Sequence, residues 1–383
     1  MRPMGRFLVV ALMFTGCGSV KETATDAPIN GDAQPGDTGL AVDASSCGGA
    51  GQTCCTSDAC STGLACTTSD HVCRAAQLFI GGSLSTSDQA VVARGSGTSF
   101  SVDVVGTGNV SSIYGTSASD VWITIVSSFG APSQTSALRH WNGTSWSSPV
   151  PLGGLYYAIW GSAVDNYWAI SNGGVAVHWN GSAWSSPQSV SSGIVFTQMW
   201  GSSATDVWAL GQTTVAHGDG SATWTPTTRA DFSVYSRNSI SGRASGEWFA
   251  GGETPAGAPV LLHRSGSTFT VEPAAGCGDV RGVFVDATDA WAISGPLIAS
   301  GTCTTQPTVS HREGGTWTDK GKVTGATASS TLWGTSSKNL YVVGASANGP
   351  TLFHYDGTSW TAAFTATSAQ ASGLSSIWGT GKP

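Results

Sequence analysis

Met199-Trp200-Gly201, followed five residues later by Asp206-Val207-Trp208, is one copy of a phrase that recurs throughout this chain. Its opening triplet combines an apolar residue, an aromatic residue and a glycine, and the fourth and fifth copies are degenerate. The seven triplets are Ile113-Tyr114-Gly115, Ile159-Trp160-Gly161, Met199-Trp200-Gly201, Ile240-Ser241-Gly242, Val283-Phe284-Val285, Leu332-Trp333-Gly334 and Ile377-Trp378-Gly379. They are separated by 46, 40, 41, 43, 49 and 45 residues. This period is typical of repeated four-stranded units.

The residues after each triplet predict the other three strands of a unit. Second strands are predicted to begin at Asp120-Val121-Trp122, Asn166-Tyr167-Trp168, Asp206-Val207-Trp208, Asp289-Ala290-Trp291 and Asn339-Leu340-Tyr341. A third strand carries a histidine and leads into Asn-Gly or Asp-Gly, as in His140-Trp141-Asn142-Gly143. These dipeptides favour a tight hairpin. The fourth strand is marked by Trp146, Trp184, Trp224, Trp317 or Trp360.

Residues 77–383 divide into seven such units, which predicts an all-β, seven-bladed β-propeller of four-stranded blades. The two ends of the array are complementary. The last triplet is followed by only four residues, whereas residues 77–105 begin at a second strand. We therefore expect the C-terminal strand to pair with the N-terminal three, which closes the ring and removes two open sheet edges. An open solenoid is the alternative, and it would need no complementary ends.

The N-terminal segment predicts export. Residues 1–16 contain Arg2 and Arg6 and then the apolar run Phe7–Phe14, which is typical of a signal peptide. The following Thr15-Gly16-Cys17 resembles the lipobox of bacterial lipoproteins, where small residues precede an acylated cysteine. This resemblance implies a lipid anchor on Cys17, and Gly18 after it implies an outer-membrane lipoprotein of a Gram-negative bacterium, facing the periplasm or the cell surface. Plain secretion is the alternative.

Two further segments separate the anchor from the repeats. Residues 17–46 contain no aromatic residue and predict a disordered linker. Residues 47–75 form a disulfide-rich module, in which a zinc site is the alternative use of the cysteines. Its cysteines are Cys47, Cys54, Cys55, Cys60, Cys66 and Cys73. The spacing resembles granulin-like or knottin-like modules. Within the repeats, Cys277 and Cys303 predict one more disulfide, with a reactive thiol pair as the alternative.

The Trp-Gly, Asp-Val-Trp and His-Trp-Asn-Gly phrases together resemble the Kelch-like and sialidase-like (Asp-box) propellers found in bacterial surface lipoproteins. The resemblance covers residues 77–383 and implies the propeller fold much more specifically than any activity.

The composition of the chain argues against nucleic acid as a partner. Charged residues make up 10% of the chain and the net charge is -7, so the basic surface that nucleic acid requires is missing. We expect a monomer that reaches the membrane only through its lipid anchor.

Residues that recur in every blade are predicted to be structural. His140, His178, His217, His263, His311 and His354 share one position in the third strand, and we expect them to be buried and hydrogen-bonded. The acids and amides that precede the second strands are expected to bond to backbone groups of the turn. The tryptophans are expected to fill the space between blades. Glu247, Glu253, Glu272 and Glu313 have no recognisable partner in the sequence.

A ligand site is predicted where loop lengths vary, namely at the loops between strands 2 and 3 and at the connections between blades. Non-repeated residues there are Tyr156, Tyr157, Arg229, Phe232, Tyr235, Arg237, Asp279 and Arg281. No motif of a hydrolase, metal site or cofactor site is recognisable. The sequence favours a non-catalytic propeller that binds protein or glycan. The alternatives are a glycan-active hydrolase or lyase and, third, a purely structural envelope protein.

Overall fold

The computed structural model describes residues 49–54, 64–66, 72–84, 86–127, 135–234, 238–295 and 306–381. Regular structure in these residues consists entirely of β-strands. Two short strands, β1 (Leu64–Cys66) and β2 (Cys73–Ala75), pair with each other before the repeats begin. Twenty-eight further strands form seven antiparallel four-stranded sheets.

The repeat strands follow one another along the chain in sequence order. Blade 7 begins with β3 (Leu78–Leu84), β4 (Gln89–Ser96) and β5 (Ser99–Thr107). Blade 1 contains β6 (Asn109–Ser117), β7 (Asp120–Val126), β8 (Ser136–Trp141) and β9 (Val150–Leu152). Blade 2 contains β10 (Tyr156–Ala163), β11 (Asn166–Ser171), β12 (Val175–Trp179) and β13 (Gln188–Ser189). Blade 3 contains β14 (Phe196–Ser203), β15 (Asp206–Gly211), β16 (Thr214–Gly218) and β17 (Trp224–Thr228).

The second half of the ring has the same strand order. Blade 4 contains β18 (Ile240–Gly242), β19 (Trp248–Glu253), β20 (Pro259–Ser265) and β21 (Thr268–Pro273). Blade 5 contains β22 (Asp279–Val285), β23 (Ala290–Gly295), β24 (Thr308–Glu313) and β25 (Thr316–Lys322). Blade 6 contains β26 (Ala326–Ser336), β27 (Asn339–Ser346), β28 (Gly349–Tyr355) and β29 (Trp360–Thr365). The last strand, β30 (Gly373–Gly379), belongs to blade 7.

The predicted closure of the ring is confirmed. Strand β30 pairs with β3, so that Leu78 lies opposite Gly379 and Phe79 lies opposite Trp378. The backbone N–H of Thr380 also donates to the carbonyl of Gln77 at 3.0 Å. The first strands of neighbouring blades contact each other around the whole ring and therefore line its central channel. The seven-bladed propeller fold expected from the repeat is confirmed in full.

The recurrent triplet forms the joints between neighbouring blades. Its aromatic ring lies against the glycine of the next blade: a Cβ built on Gly201 would lie 2.6 Å from Cζ2 of Trp160. Four other joints repeat this contact at 2.7 to 3.3 Å, pairing Gly115 with Trp378, Gly242 with Trp200, Gly334 with Phe284 and Gly379 with Trp333. Real Cβ atoms essentially never approach a neighbour to under 3.0 Å. The aromatic residue of one blade therefore favours glycine in the next.

The two degenerate triplets meet at a single joint, between blades 4 and 5. Blade 4 has Ser241 in place of the aromatic residue, and blade 5 has Val285 in place of the glycine. Val285 is 1% exposed, and its backbone N–H donates to the Ser241 hydroxyl at 3.2 Å. A side chain is tolerated in blade 5 because no ring approaches it from blade 4. The two departures from the repeat thus compensate for each other.

The repeated histidines are hydrogen-bonded within their own blades, as predicted. In six blades the Nε2–H donates to the acid or amide at the start of the second strand, at 2.7 to 3.0 Å, and the ring lies against an aromatic ring of that strand. The groups are His140 with Asp120 and Trp122, His178 with Asn166 and Trp168, His217 with Asp206 and Trp208, His263 with Glu247 and Phe249, His311 with Asp289 and Trp291, and His354 with Asn339 and Tyr341.

Two details of that prediction were wrong. The acids and amides accept from the histidine rings, whereas bonds to the backbone of the turn had been expected. Only His263 is fully buried, because the other five rings lie near the end of the sheet, where one edge of the imidazole reaches solvent. In blade 7, Arg94 takes the histidine position opposite Phe79 and donates to Asp103 at 2.6 Å.

The predicted hairpin dipeptides also work differently from the expectation. Only the glycine adopts a positive φ, as in Gly143 at 95°, so Asn142 does not need one. The Asn142 side chain instead accepts from the backbone N–H groups of Thr144 and Ser145 at 3.0 and 2.9 Å. This side chain therefore replaces a backbone acceptor in the turn.

The cysteines are only partly described. Cys54 and Cys66 form a disulfide with each other. Cys73 takes part in a disulfide, and so does Cys277. Cys47, Cys55, Cys60 and Cys303 lie outside the described residues, as do the predicted signal peptide and the whole predicted linker with Cys17. The pairing of Cys277 with Cys303 therefore stays a prediction. Among the described residues, no helix is long and apolar enough to span a membrane.

Candidate functional site

The two faces of the ring carry different connections. Turns between strands 1 and 2 and between strands 3 and 4 lie on one face, which we call the turn face. Loops between strands 2 and 3 and the connections between blades lie on the other, which we call the loop face. The sequence predicted a ligand site on the loop face. The large cavity in the described residues opens instead on the turn face.

The turn-face cavity has a volume of about 870 Å³, which lies toward the upper end of the range usual for ligand sites. It is formed by the ends of the first strands of blades 1, 2, 3 and 4 with the turns that follow them, by the end of β30 in blade 7, and by the segment that enters blade 7. Lining residues come from Tyr114–Ser119, Trp160–Ser162, Trp200–Ser202, Gly242–Ala244 and Trp378–Gly381, together with Arg74, Ala75 and Gln77. A single depression is thus assembled from four copies of the same turn and from the two chain segments that meet in blade 7.

The floor of the cavity is aromatic. It consists of the triplet residues Tyr114, Trp160, Trp200 and Trp378, and the ring of Tyr114 lies 6.1 Å from that of Trp160 and 6.5 Å from that of Trp378. Burial raises the pKa of Tyr114 to about 12, so its hydroxyl stays neutral at physiological pH. Beyond this floor the channel narrows to a space of about 100 Å³. The cavity is therefore wide at the turn face and narrow beyond its aromatic floor.

The rim is hydroxyl-rich and contains few charges. Exposed Thr116, Ser117, Ser119 and Ser162 line it, and its only charged side chains among the described residues are Arg74 and Arg243. The nearby acids are already engaged by histidine and rim hydroxyls, as Asp120 is by His140 and Thr116. Although burial opposes ionisation, the bonds from His140, Thr116 and Tyr167 lower the pKa of Asp120. No Asp, Glu or His of the described chain lines the cavity itself.

On the loop face, the structure brings two of the predicted residues together. Asp279 and Arg281 form an ion pair at 2.7 Å, and their side chains are 6% and 7% exposed. The Asn238 amide donates to Asp279 at 3.1 Å, and Arg281 Nε donates to the carbonyl of Gly295 at 3.1 Å. Burial raises the pKa of the nearby Glu253, and the charge of Asp279 raises it further. The strand is bulged at Arg281, which can redirect a side chain.

The other predicted loop-face residues are not drawn into this cluster. Tyr156 is 1% exposed and packs in the core beside Trp122, while Tyr157 is half-buried at the equivalent bulge of blade 2. Arg229 makes two hydrogen bonds to Asp231, at 2.9 and 2.6 Å. Phe232 is 1% exposed and belongs to the core of blade 4. Tyr235 and Arg237 lie outside the described residues, so a binding role for this set stays a prediction.

Sequence reasoning missed the partners of the glutamates. Glu247 binds Arg243 and His263, Glu272 binds His263, Arg312 and Trp317, and Glu313 binds His311 and Lys320. These partners are structural ion pairs and hydrogen bonds that the sequence did not reveal. Arg312 and Trp317 lie 40 and 45 positions from Glu272, in the next blade, so no local pattern reveals them. The one available signal was that Glu247 occupies the repeated acid position.

Comparisons with known proteins agree on the fold alone. A periplasmic gluconolactonase of Pseudomonas aeruginosa aligns with a TM-score of 0.57 and 13% identity, covering 80% of this chain and 99% of that one. A candidate 6-phosphogluconolactonase of Bacteroides fragilis aligns with a TM-score of 0.54 and 11% identity, covering 80% of this chain and 98% of that one. A Lactobacillus plantarum protein aligns with a TM-score of 0.53 and 13% identity, covering 79% of this chain and 99% of that one. No protein-family model matches the sequence, and no curated protein sequence does so.

Proposed function

We propose that this protein is a non-catalytic binding propeller whose ligand occupies the turn-face cavity. The observation that carries this proposal is the cavity itself: about 870 Å³, with an aromatic floor and a hydroxyl rim, and no acid or histidine among its described lining residues. Hydrolysis of a glycosidic bond usually needs a pair of carboxylates, one as acid and one as base or nucleophile. A lining without carboxylates can hold a ligand but supplies neither role.

The setting of the propeller is proposed from the sequence. An acylated Cys17 would hold it on the outer membrane by a flexible linker, with a disulfide-rich module beside it. The kinship with Kelch-like and sialidase-like propellers is likewise proposed from the repeated phrases. Replacing Cys17 with serine should release the protein from the membrane fraction, which fractionation and detection of the acyl group by mass spectrometry would measure.

The cavity is tested by blocking it. The mature chain is screened on a glycan array and in a pull-down, and the hit is titrated against Ala118→Arg, which places a long side chain on the cavity rim. Ala256→Arg is the matched control, because Ala256 is equally exposed in the strand 2–3 loop of blade 4, on the loop face. We expect Ala118→Arg alone to abolish binding. Loss of binding in the control alone would place the site on the loop face.

A hydrolase is the second candidate function, and the loop-face cluster favours it. Asp279 is held beside Arg281, whereas burial raises the pKa of Glu253, and acids in such contrasting environments suit base and acid roles. Two of the aligned structures have lactonase names, but their low identity carries the fold only. A turnover assay on polysaccharides and sugar lactones decides this point. Activity lost in both Glu253→Gln and Asp279→Asn would replace the binding proposal.

A further inference from the structure

Among the described residues, the joint between blades 4 and 5 is the one that contains a connected chain of five ionisable side chains. Glu247 takes the position that Asp or Asn occupies in the other blades, and its longer side chain reaches both Arg243 and His263. His263 continues to Glu272 at 2.8 Å, and Glu272 binds Arg312 through two bonds of 2.9 and 3.0 Å. The five groups thus connect the cavity rim to the outer strands of blade 5.

His263 bridges the two carboxylates of this chain. Its Nε2 lies 2.9 Å from Glu247 and its Nδ1 lies 2.8 Å from Glu272, and the ring is buried. Both acids are ionised at neutral pH. Burial opposes ionisation, but the bonds from His263, Arg312 and Trp317 lower the pKa of Glu272 to about 2, and those from Arg243 and His263 lower that of Glu247.

The chain therefore begins and ends with a guanidinium, Arg243 and Arg312, and each is paired with one of the two carboxylates. One of its ends, Arg243, lines the turn-face cavity. Arg243 uses Nε on the carbonyl of Asp286 and Nη1 on Glu247, which leaves Nη2 without a partner among the described residues. The Asp286 carboxylate accepts from its own turn, from the N–H groups of Thr288 and Asp289. The other cationic residue of the rim is Arg74.

We infer that the ligand of the turn-face cavity is an acidic glycan, whose uronic acid carboxylate binds to Arg243. This inference depends on the proposed binding function and adds the chemical class of the ligand. A guanidinium that is already fixed by two hydrogen bonds loses little conformational freedom when it donates to a carboxylate, which favours Arg243 as the anchor. The remaining rim offers serine and threonine hydroxyls, and the floor offers Tyr114, which suits the many hydroxyl groups and apolar faces of sugar rings.

The test compares matched ligands on the unaltered mature chain. Oligomers of galacturonic, glucuronic and mannuronic acid are titrated by calorimetry, each beside its methyl ester, which keeps the sugar rings and removes the charge. We expect at least one acid to bind about tenfold more tightly than its ester, because hydrogen bonds to charged groups are among the stronger ones. Equal affinities would overturn the inference and leave the proposed binding function intact. Equal binding of polyglutamate would overturn the glycan assignment.

Two variants locate the charge that matters. Arg243→Gln should remove the preference for the acid over its ester, while Arg312→Gln, at the other end of the same chain and outside the cavity, should keep it. A preference that survives Arg243→Gln would refute the role of Arg243. If none of the oligomers binds, the inference fails, and the array and the pull-down still decide the proposed function by themselves.

Discussion

Val285→Gly is expected to destabilise the propeller by about 2–4 kcal/mol, and adding Ser241→Trp is expected to restore part of that loss. The first figure combines burial of the valine side chain, about 1.5–3 kcal/mol, with the backbone cost of glycine in a strand, about 0.5–1 kcal/mol. Val285 is 1% exposed, so the whole side chain contributes. Ser241→Trp alone should also destabilise, because the introduced indole would occupy the space that Val285 fills.

The reason lies in the geometry of the other joints. There the aromatic ring lies 2.6 to 3.3 Å from the Cβ that the next glycine lacks, beside atoms of the paired second strand, so a ring at position 241 favours glycine at position 285. The double variant recreates that joint. We expect the double variant to be more stable than the sum of the two single effects predicts, by about 0.5–3 kcal/mol, the range typical of contacting residues. Urea unfolding followed by tryptophan fluorescence measures all four proteins.

A control separates this coupling from general fragility. Val177→Gly removes an equally buried valine in β12 of blade 2, far from the joint, and should add to Ser241→Trp within about 0.5 kcal/mol. Ser241→Trp is combined with Val285→Gly in one double variant and with Val177→Gly in the other. If the changes in the free energy of unfolding add equally well in both, the aromatic residue and the glycine do not depend on each other. The explanation of the repeated triplet would then be wrong.

Three further perturbations test the closure and the polar networks. Deleting residues 373–383 removes β30 with two buried apolar side chains, about 3–6 kcal/mol, and should sharply lower the melting temperature; an unchanged value would contradict ring closure. Burial lowers the pKa of His178, so the unfolded chain takes up its proton first and stability should fall as pH drops below 6.5. Asn166→Asp supplies a carboxylate to that ring and should raise this pKa and reverse the trend, which NMR titration and unfolding between about pH 5.5 and 7.5 would detect. Glu272→Gln weakens the shared acceptor of His263, Arg312 and Trp317 and should cost about 1–3 kcal/mol in urea unfolding, whereas Glu313→Gln, on an exposed side chain, should change stability little.

Much of the fold follows from local sequence rules because each blade repeats them. The triplet positions gave the number of blades, and the complementary ends gave the pairing of β3 with β30. The repeated histidines were correctly assigned to structure. Their partners were only half predicted, since the bond from His140 to Asp120 joins positions 20 residues apart across two strands. Contacts between blades, such as Glu272 with Arg312, depend on which side chains a sheet turns toward its neighbour, and the sequence of one blade does not contain that information.

The cavity lies on repeated turns, which the sequence assigned to scaffolding. Residues that recur in every blade were interpreted as structural, and the ligand site was predicted at loops that vary. Four equivalent turns and the two chain segments that meet in blade 7 converge on the ring axis, and together they form one depression. Its symmetry is then broken at both ends, by the entering segment with Arg74 and by blade 4 with Arg243. A repeated residue such as Tyr114 can thus pack at a blade joint and also form part of the cavity floor. In a closed ring, repeated residues can therefore line a binding cavity, provided that a few non-repeated residues, here Arg74 and Arg243, make that cavity asymmetric.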